Sequence, residues 1–335
     1  MSRSERSDDD IAAAAAVSLA EIPVIDFAPF LAGDAAARQA VADEIAAACE
    51  TIGFFYLTGH QVPLDLVESI FATAADFFAR PMDERIGALA TPEWYRGYIP
   101  MPEHQPLSRN TRMFEQYRLQ HEWPADPQDM EHARIFDQMN RWPAGMDDFR
   151  AAGDAYLDAM LGLGRELLRA FALGLGLEEK CFDDWFRHPP SQLSINHYPI
   201  LPQSADPEVS NMISHTDEGP FTILAQGEVG GLEVKRRDGT WIQAPPIAGA
   251  FTINVGDMMM WWSNGRFLSN YHRVRNRTDV ERFSVPYFAN PDRNVTVAPL
   301  PQLAGDAPRY APVRVADHLA RFYSQLSRNP HEAYS

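Results

Sequence analysis

The second half of the chain consists of short apolar runs separated by turn residues. Glycine, proline and Asp-Gly or Asn-Gly pairs bound these runs, and such residues supply the backbone conformations that tight turns require. A close succession of runs too short for typical helices predicts an all-β sandwich or barrel. The predicted strands are Leu193–Tyr198, Phe221–Gln226, Leu232–Lys235, Phe251–Val255, Met258–Trp262, His272–Asn276, Arg282–Phe288 and Val295–Val297.

The first half shows helical periodicity instead. Apolar residues recur at spacings of three and four after Asp34, after Pro63, and from Phe149 to Phe171, which predicts three helices. A short aromatic strand, Phe54–Leu57, lies between the first two. Residues 82–145 show no clear period and predict a long irregular segment, and a final apolar pattern predicts a helix over about residues 313–327. We therefore expect one compact α+β domain in which helices surround a β core.

Charge and cysteine content exclude several classes of function. The chain has 46 acidic and 29 basic residues and a net charge of −17, so nucleic acid and anionic membranes are not expected partners. Most of the cations are arginines, which hold carboxylates in a bidentate fork, so an anionic small molecule is the better expectation. Cys49 and Cys181 offer no disulfide framework, which favours the cytoplasm. Residues 1–20 predict a mobile tail, and no apolar stretch is long enough for a membrane helix.

Two histidines and an aspartate form the first candidate site. In His215-Thr216-Asp217 the imidazole and the carboxylate stand at positions i and i+2, which project to the same side of an extended segment. His272 begins another predicted strand and is a candidate third ligand from the same β core. Two histidines and one carboxylate on one face of a metal are the ligand set of non-haem Fe(II) oxygenases. Zinc is the competing metal, but a zinc hydrolase would need a nearby base and would not account for the next motif.

A second motif supplies hydrogen-bond donors that could bind the carboxylate of a small molecule. Arg282 and Ser284 place a guanidinium and a hydroxyl on one face of a strand, where both can donate to the same acid. Asn196 and Tyr198 form a similar pair on the first core strand, and the tyrosine phenol can donate to the same group. His197 lies between them and is predicted to point to the opposite face.

Taken together, an ordered series of motifs resembles the isopenicillin N synthase-like branch of the Fe(II)/2-oxoglutarate dioxygenases. The resemblance covers roughly residues 21–326. Its motifs are Ile22–Asp26, Gly53–His60, Arg96–Pro100, Trp142-Pro143, His215–Leu224, Gly230–Val234, Asn254–Asp257, Ser263–Gly265, His272–Val274 and Arg282–Ser284.

The resemblance implies a double-stranded β-helix, or jelly roll, flanked by helices. It implies a single domain over 21–326, with a helical part at 21–188, a jelly-roll core at about 190–298 and the C-terminal helix. It also implies iron held by His215, Asp217 and His272, and 2-oxoglutarate held by Arg282 and Ser284, with Tyr198 and Asn196 assisting. O2 would be the oxidant, succinate and CO2 the co-products, and ascorbate a supporting reductant. A monomer is expected, as is common in this branch.

The substrate is the least constrained part of the prediction. Residues 90–145 correspond to the stretch that covers the active-site mouth in that family, and they contain Tyr98, Arg112, Phe114, Glu115 and Arg118. We nominate Tyr98, Arg112 and Phe114 as substrate contacts, with Tyr271, which stands before His272 where the family usually has a small residue. An aromatic pocket with one or two charges suits hydroxylation or desaturation of a small organic or amino-acid-derived metabolite.

Two alternatives remain open at this point. The first is an Fe(II) oxidase that does not use 2-oxoglutarate, of the isopenicillin N synthase or aminocyclopropane-carboxylate oxidase type, because those enzymes share the Arg-x-Ser motif. The second is a non-catalytic jelly-roll binding protein. The second predicts damage to the metal or carboxylate motif, and both motifs are intact here.

Overall fold

A computed structural model describes residues 21–91, 94–101, 113–125, 129, 131–200, 209–305 and 307–328, with the side chains of 324–328 left out. The predicted tail at residues 1–20 and Arg112 lie outside the described residues.

Long helices form where the periodic stretches predicted them. Asp34 caps one of them, because its carboxylate accepts from the backbone N–H groups of Ala36 and Ala37 at 3.1 and 3.0 Å. Single 3-10 turns occur at Ile86–Ala88 and Asp183–Trp185. The described helices are α1 (Ala28–Ala32), α2 (Ala35–Thr51), α3 (Leu64–Ala79), α4 (Met82–Arg85), α5 (Ala133–Phe136), α6 (Asp147–Gly174), α7 (Asp257–Trp262), α8 (Pro301–Ala304) and α9 (Val315–Arg328).

Short strands build two sheets of unequal size. The described strands are β1 (Val24–Asp26), β2 (Phe54–Thr58), β3 (Gly97–Ile99), β4 (Glu115–Gln120), β5 (Gln192–Tyr198), β6 (Met212–His215), β7 (Phe221–Gln226), β8 (Leu232–Lys235), β9 (Trp241–Gln243), β10 (Phe251–Val255), β11 (His272–Val274), β12 (Arg282–Ala289), β13 (Thr296–Val297) and β14 (Val313–Arg314). The large sheet has the order β1-β2-β10-β7-β12-β5-β4-β3, the small sheet has the order β6-β11-β8-β9, and β13 pairs with β14.

The two larger sheets are the walls of a double-stranded β-helix, as predicted. A buried apolar cluster that includes Tyr56, Leu224 and Val234 brings together side chains of both sheets. The largest apolar cluster includes residues of the other face of the large sheet together with residues of α2, α3 and α6. Helices therefore cover one face of the large sheet, and the opposite face is left to form the interior of the jelly roll.

Two predictions about local structure were wrong. Met258–Trp262 was predicted as a strand, but it lies within helix α7, which begins after Gly256 with Asp257 in its first turn. A short apolar run has no period that distinguishes a buried strand from a helical turn, and the Gly-Asp pair is the sign of a helix start. The segment 82–145 was predicted to be irregular, but it supplies β3 and β4 to the edge of the large sheet.

Among the described residues, no helix combines the length and the apolar content needed to cross a membrane.

Candidate metal centre and flanking cavities

The three residues predicted to bind a metal lie together between the sheets. His215 ends β6, Asp217 follows in the next turn, and His272 begins β11, where it is the direct antiparallel partner of His215. The Nε2 atoms of both histidines lie 3.6 Å from Oδ1 of Asp217. One ligand atom from each residue lies within 4.8 Å of the other two, and all three side chains are buried.

Backbone carbonyls fix the orientation of both imidazoles. The Nδ1 atom of His215 lies 2.8 Å from the carbonyl oxygen of Ile213, and Nδ1 of His272 lies 3.3 Å from that of Asn270. A carbonyl oxygen only accepts hydrogen bonds, so each Nδ1 carries the proton and each Nε2 presents its lone pair toward Asp217. Burial, with the neighbouring His272, lowers the pKa of His215 to about 4, so this ring is neutral at pH 7.

Two hydrogen-bond donors bind one oxygen of the Asp217 carboxylate and leave the other oxygen available to a metal. Its Oδ2 atom accepts from Thr222 Oγ1 at 2.5 Å and from Asn254 Nδ2 at 2.7 Å, which leaves Oδ1 directed at the histidines. Burial acts to raise the pKa of Asp217, but the two histidines and these hydrogen bonds together lower it below its ordinary value. The carboxylate is therefore held in its charged form.

A close approach between backbones supports the turn that carries Asp217. The N–H of Asp257 donates to the carbonyl of Asp217 at 2.8 Å, and the N–H of Gly256 donates to that of Pro220 at 2.9 Å. A Cβ atom on Gly256 would lie 2.2 Å from the carbonyl oxygen of Gly219, so a side chain is excluded here. Because residue 256 is a glycine, the junction of β10 and α7 can pack directly against the turn that carries Asp217.

This donor set fits a divalent transition metal. Two imidazoles and one carboxylate on one side of a point are the facial arrangement used by non-haem iron enzymes, and they leave the opposite side open for other ligands. Hydrogen bonds to the second atom of each group orient all three ligands. Among the described residues, His215, Asp217 and His272 form the group of potential metal ligands whose ligand atoms lie close enough together to hold one ion.

The inner cavity lies on one side of this cluster and contains the predicted carboxylate grip. We define it by Arg282, Ser284, Tyr198, Asn196 and Asn254, together with His215, Asp217, His272 and the apolar side chains Leu224, Leu232, Val274, Pro286 and Phe288. Register explains the grouping, because Arg282 pairs with Tyr198 and Ser284 with Asn196 on the adjacent strands β12 and β5. All four side chains consequently lie on the same face of the large sheet.

Arg282 is buried without a counter-ion among the described residues. It is 1% exposed, and its Nη2 atom donates to Gln226 Oε1 at 3.1 Å, while Nε and Nη1 have no hydrogen-bond partner in the described structure. Its guanidinium lies 4.7 Å from the centre of the Tyr198 ring. Burial lowers the pKa of this guanidinium. A buried, under-satisfied cation fits an anionic ligand, and a carboxylate matches its planar fork.

A second cavity, the outer cavity, adjoins the cluster and is lined in part by side chains of the C-terminal helix α9. We define it by Gln116, Arg118, Gln192, Ser194, Asn196, Met212, His215, Thr216, Asp217, Glu218, Gly219, Phe288, Asn290, Leu319, Phe322 and Tyr323. His215 and Asp217 line both cavities. The three candidate metal ligands therefore lie where the two cavities meet. Arg282 lines the inner cavity, and Arg118 lines the outer cavity.

Of the four nominated substrate contacts, the three that the structure describes, Tyr98, Phe114 and Tyr271, are not among the lining residues of these cavities. Tyr98 is fully buried in the apolar core, where its hydroxyl donates to Glu115 and its ring packs 5.4 Å from that of Phe77. Phe114 is buried with its ring 5.3 Å from that of Tyr198, so it supports the inner cavity without lining it. Tyr271 is 51% exposed and has Lys235 over its ring at 5.5 Å.

His197 lies on the face opposite the cavities, as predicted from strand alternation. Its Nδ1 atom is 2.8 Å from Oε1 of Glu115, and its ring stacks on that of Phe283 at 4.8 Å. Gln226 was not predicted as a site residue, and Arg118 was singled out only as part of a long segment. Gln226 could have been found from alternation within its predicted strand, since it pairs with Ser284 and shares a face with it. Arg118 shares a face with Ser194 and Asn196, but its strand was not predicted.

Comparison with known proteins agrees with this arrangement. Residues 22–145 match the model of the non-haem dioxygenase in morphine synthesis N-terminal family, and residues 182–291 match that of the 2OG-Fe(II) oxygenase superfamily. The 2-oxoglutarate-Fe(II) type oxidoreductase hxnY of Emericella nidulans is 34% identical, over 93% of this chain and 92% of that protein. The corresponding oxidoreductase ppzC of Metarhizium rileyi is 36% identical, over 80% of this chain and 77% of that protein.

A solved structure shows the same similarity in three dimensions. A full-length Neurospora crassa protein, solved in complex with alpha-KG and thymine, superposes with a TM-score of 0.78 at 28% identity, covering 92% of this chain and 97% of that one. Fold, donor set and relatives all agree, and the protein is a 2-oxoglutarate-dependent dioxygenase that belongs to the 2OG-Fe(II) oxygenase superfamily.

Proposed function

We propose that His215, Asp217 and His272 bind Fe(II), and that Arg282 holds the far carboxylate of 2-oxoglutarate with help from Ser284, Tyr198 and Asn196. One observation carries this proposal: the converging set of two Nε2 atoms and one carboxylate oxygen shares a cavity with a buried guanidinium that has unpartnered N–H groups. A dicarboxylic 2-oxo acid presents an anion to each of these two centres.

When bound, the iron supplies O2 activation coupled to the oxidative decarboxylation of 2-oxoglutarate to succinate and CO2. The chain's own residues orient and shield the reactants. Thr222 and Asn254 hold the Asp217 carboxylate, and Ser284 Oγ donates to the Tyr198 hydroxyl at 3.3 Å, which fixes both groups beside Arg282. The apolar wall of the inner cavity excludes water around the co-substrate.

The outer cavity is the proposed substrate chamber. It shares His215 and Asp217 with the inner cavity, so a molecule bound there lies next to the metal cluster. Its wall mixes carboxamides and a guanidinium with aromatic and aliphatic side chains, which suits a small polar organic metabolite. The Neurospora crassa protein was solved with thymine, a molecule of this size. The proposed reaction is hydroxylation or desaturation of such a metabolite.

Several wider properties form part of the proposal. Residues 21–326 would act as one catalytic domain, placed within the isopenicillin N synthase-like branch on the motifs quoted above. Ascorbate would support activity by keeping the iron reduced. Cys49 and Cys181 are free thiols, which supports a cytoplasmic location. The acidic net charge supports a monomer that binds neither nucleic acid nor anionic membranes.

Succinate formation tests the central claim. Protein loaded anaerobically with Fe(II) is mixed with 2-oxoglutarate, ascorbate and air, and succinate is measured with and without candidate substrates. We expect slow uncoupled succinate formation that a productive substrate stimulates several-fold. A substrate that is oxidised without succinate formation would instead identify an oxidase that does not use 2-oxoglutarate. Omission of ascorbate should shorten the period of linear turnover.

A further inference from the structure

An open groove runs beside helix α3. Side chains from residues 64–75 of α3 form one wall, and the loops at 227–229, 246–250 and 280–281 form the other. We name it the lateral groove. Its volume is about 860 Å³, and among the described residues it shares no lining residue with the inner or the outer cavity. A molecule bound there would therefore not occupy the proposed substrate or co-substrate positions.

The floor of the lateral groove belongs to the face of the large sheet that helices cover elsewhere. Ala225 and Phe251 are buried members of the largest apolar cluster, and Phe283 packs against that cluster. Helices α2, α3 and α6 contribute to the same cluster. The groove thus continues the surface on which the protein's own helices pack, and within the described residues no helix fills it. A helix is the element that suits such a surface.

Helix α3 presents a stripe of apolar side chains to the lateral groove. Leu64, Val67, Phe71 and Ala75 recur at spacings of three and four, so they share one face of the helix over about 17 Å. Leu64 is 56% exposed, and Val280 on the opposite wall is 53% exposed. Amphipathic helices dock in apolar grooves through anchors at the same three- and four-residue spacing.

The carboxylates of the lateral groove indicate the charge of its occupant. Glu68, Glu228 and Glu281 line the groove, and no lysine or arginine does so among the described residues. Glu68 and Glu228 are exposed and form no ion pair within the described structure, whereas Glu281 lies 3.3 Å from Nε2 of His197. Carboxylates around an apolar channel favour a partner that is both apolar and cationic.

We propose that the lateral groove binds a basic amphipathic helix of a partner protein. The apolar side chains of that helix would lie between α3 and the three loops, and its lysine or arginine side chains would contact Glu68, Glu228 and Glu281. A second copy of this chain fits poorly, because a symmetric contact would place glutamates opposite glutamates on two molecules that each carry a net charge of −17. The inference is independent of the proposed dioxygenase function.

Model peptides test the chemistry of the occupant. The probe is a leucine-lysine peptide of about 14 residues with its leucines on one helical face, which is long enough to span the stripe on α3. Its binding to the full chain is measured by fluorescence anisotropy at physiological ionic strength. We expect it to bind about ten-fold or more tightly than a scrambled peptide of the same composition or a leucine-glutamate counterpart. Equal binding of the scrambled or the acidic peptide would overturn the proposal.

Charge-reversal variants locate the binding. Glu68→Lys combined with Glu228→Lys should weaken binding of the basic peptide by about ten-fold or more. The control combines Glu44→Lys with Glu131→Lys, which changes the net charge equally at two exposed positions outside the groove. Its affinity should change less than about two-fold, because salt screens exposed charges that do not touch the peptide. Equal weakening in the two double variants would indicate general attraction to an acidic protein and contradict the assignment.

A neutral substitution tests the apolar contact. Val280→Ser should weaken peptide binding by about five-fold, whereas Val24→Ser, at an exposed valine outside the groove, should leave it unchanged. Wild-type affinity in Val280→Ser would contradict the proposed contact.

Sedimentation equilibrium of the protein alone distinguishes a partner from a second copy. We expect a monomer at all concentrations. A dimer that Val280→Ser weakens would show that the lateral groove is a self-association surface and would overturn the proposal.

Discussion

His215 and His272 are direct partners across the antiparallel pair of β6 and β11, and their ring centroids lie 4.3 Å apart. The strand ladder sets this spacing, and backbone carbonyls set the orientation of the rings. The polypeptide thus assembles the metal-binding geometry through its sheet. Metal binding should consequently stabilise the folded state without having to organise it.

The first prediction concerns the metal itself. His215→Ala should abolish iron binding, since two remaining ligands cannot complete the facial set. Iron content per chain, measured after anaerobic loading and desalting, should fall from near one to near zero. His188→Ala is a suitable control because His188 is exposed and lies outside the cluster. Unchanged iron content in His215→Ala would remove the ligand assignment.

The hydrogen bond from Thr222 should tune metal affinity. Thr222→Val removes the hydroxyl that orients Asp217, and loss of such a supporting bond typically weakens metal binding by about 10- to 100-fold. Titration against a competing chelator measures the change. Thr73→Val is the matched control, because that hydroxyl bonds only carbonyls of its own helix. Equal affinities in the two variants would show that the hydrogen bond has no role in binding.

Arg282 should govern the affinity for 2-oxoglutarate. Arg282→Gln removes the buried charge, and the loss of a charge-assisted contact of about 3 kcal/mol corresponds to roughly a hundred-fold rise in Kd. Anaerobic titration with 2-oxoglutarate measures the effect directly. Arg273→Gln serves as the control, since Arg273 lies on β11 of the small sheet and pairs with Glu233 at 2.6 Å. Wild-type affinity in Arg282→Gln would require another anchor for the co-substrate.

His60 should make stability depend on pH. Its Nδ1 accepts from the N–H of Val62 and its Nε2 donates to the carbonyl of Gly249, both at 3.1 Å, so only the neutral ring satisfies both bonds. Burial lowers the pKa of His60 below 6.5 in the folded state. Below pH 6.5 the unfolded chain therefore takes up the proton more readily, and the free energy of unfolding decreases as the pH is lowered.

Urea unfolding at pH 7.5 and 5.5, with EDTA present, tests this sign. The wild type should lose more stability over that interval than His60→Gln, which carries no titrating ring. His188→Ala should follow the wild type. A loss as large in His60→Gln as in the wild type would assign the pH dependence to other groups.

Gly256 should be sensitive to a single added methyl group. Gly256→Ala forces a Cβ against the backbone of the ligand turn, and such overpacking typically costs about 1–3 kcal/mol. Iron affinity should fall in the same variant because Asp217 belongs to that turn. Gly162→Ala, at an exposed helical position with open space, should instead stabilise the protein by about 0.5–1 kcal/mol. Thermal unfolding of the two variants should move in opposite directions.

Alternation explains why much of the site could be predicted from the sequence. The i, i+2 spacing of His215 and Asp217, and of Arg282 and Ser284, is enough to tell which side chains share a face. The shared face of Asn196 and Tyr198 could be anticipated in the same way once their strand was assigned. What alternation does not give is which strands are neighbours, and the resemblance to a family supplied that.

Strand β4 could not be recognised because its apolar pattern is inverted. Tyr117 and Leu119 face the helices, whereas Gln116, Arg118 and Gln120 face the interior of the jelly roll. A polar face usually indicates solvent, but here it lines a buried cavity. Arg118 therefore falls within a segment predicted to be irregular, where it was named beside Tyr98 and Phe114 but was not nominated as a substrate contact.

Strand β4 is the second strand from one end of the large sheet and lies outside the central pair β5 and β12. Strands β5 and β12 are central and carry the residues proposed to bind 2-oxoglutarate, so changes there are expected to disturb the step that every substrate requires. Strand β4 bonds to β5 on one side and only to short β3 on the other, yet it carries Arg118. If the outer cavity receives the substrate, as proposed, substitutions on β4 would change the recognised molecule and leave the proposed co-substrate grip on β5 and β12 in place.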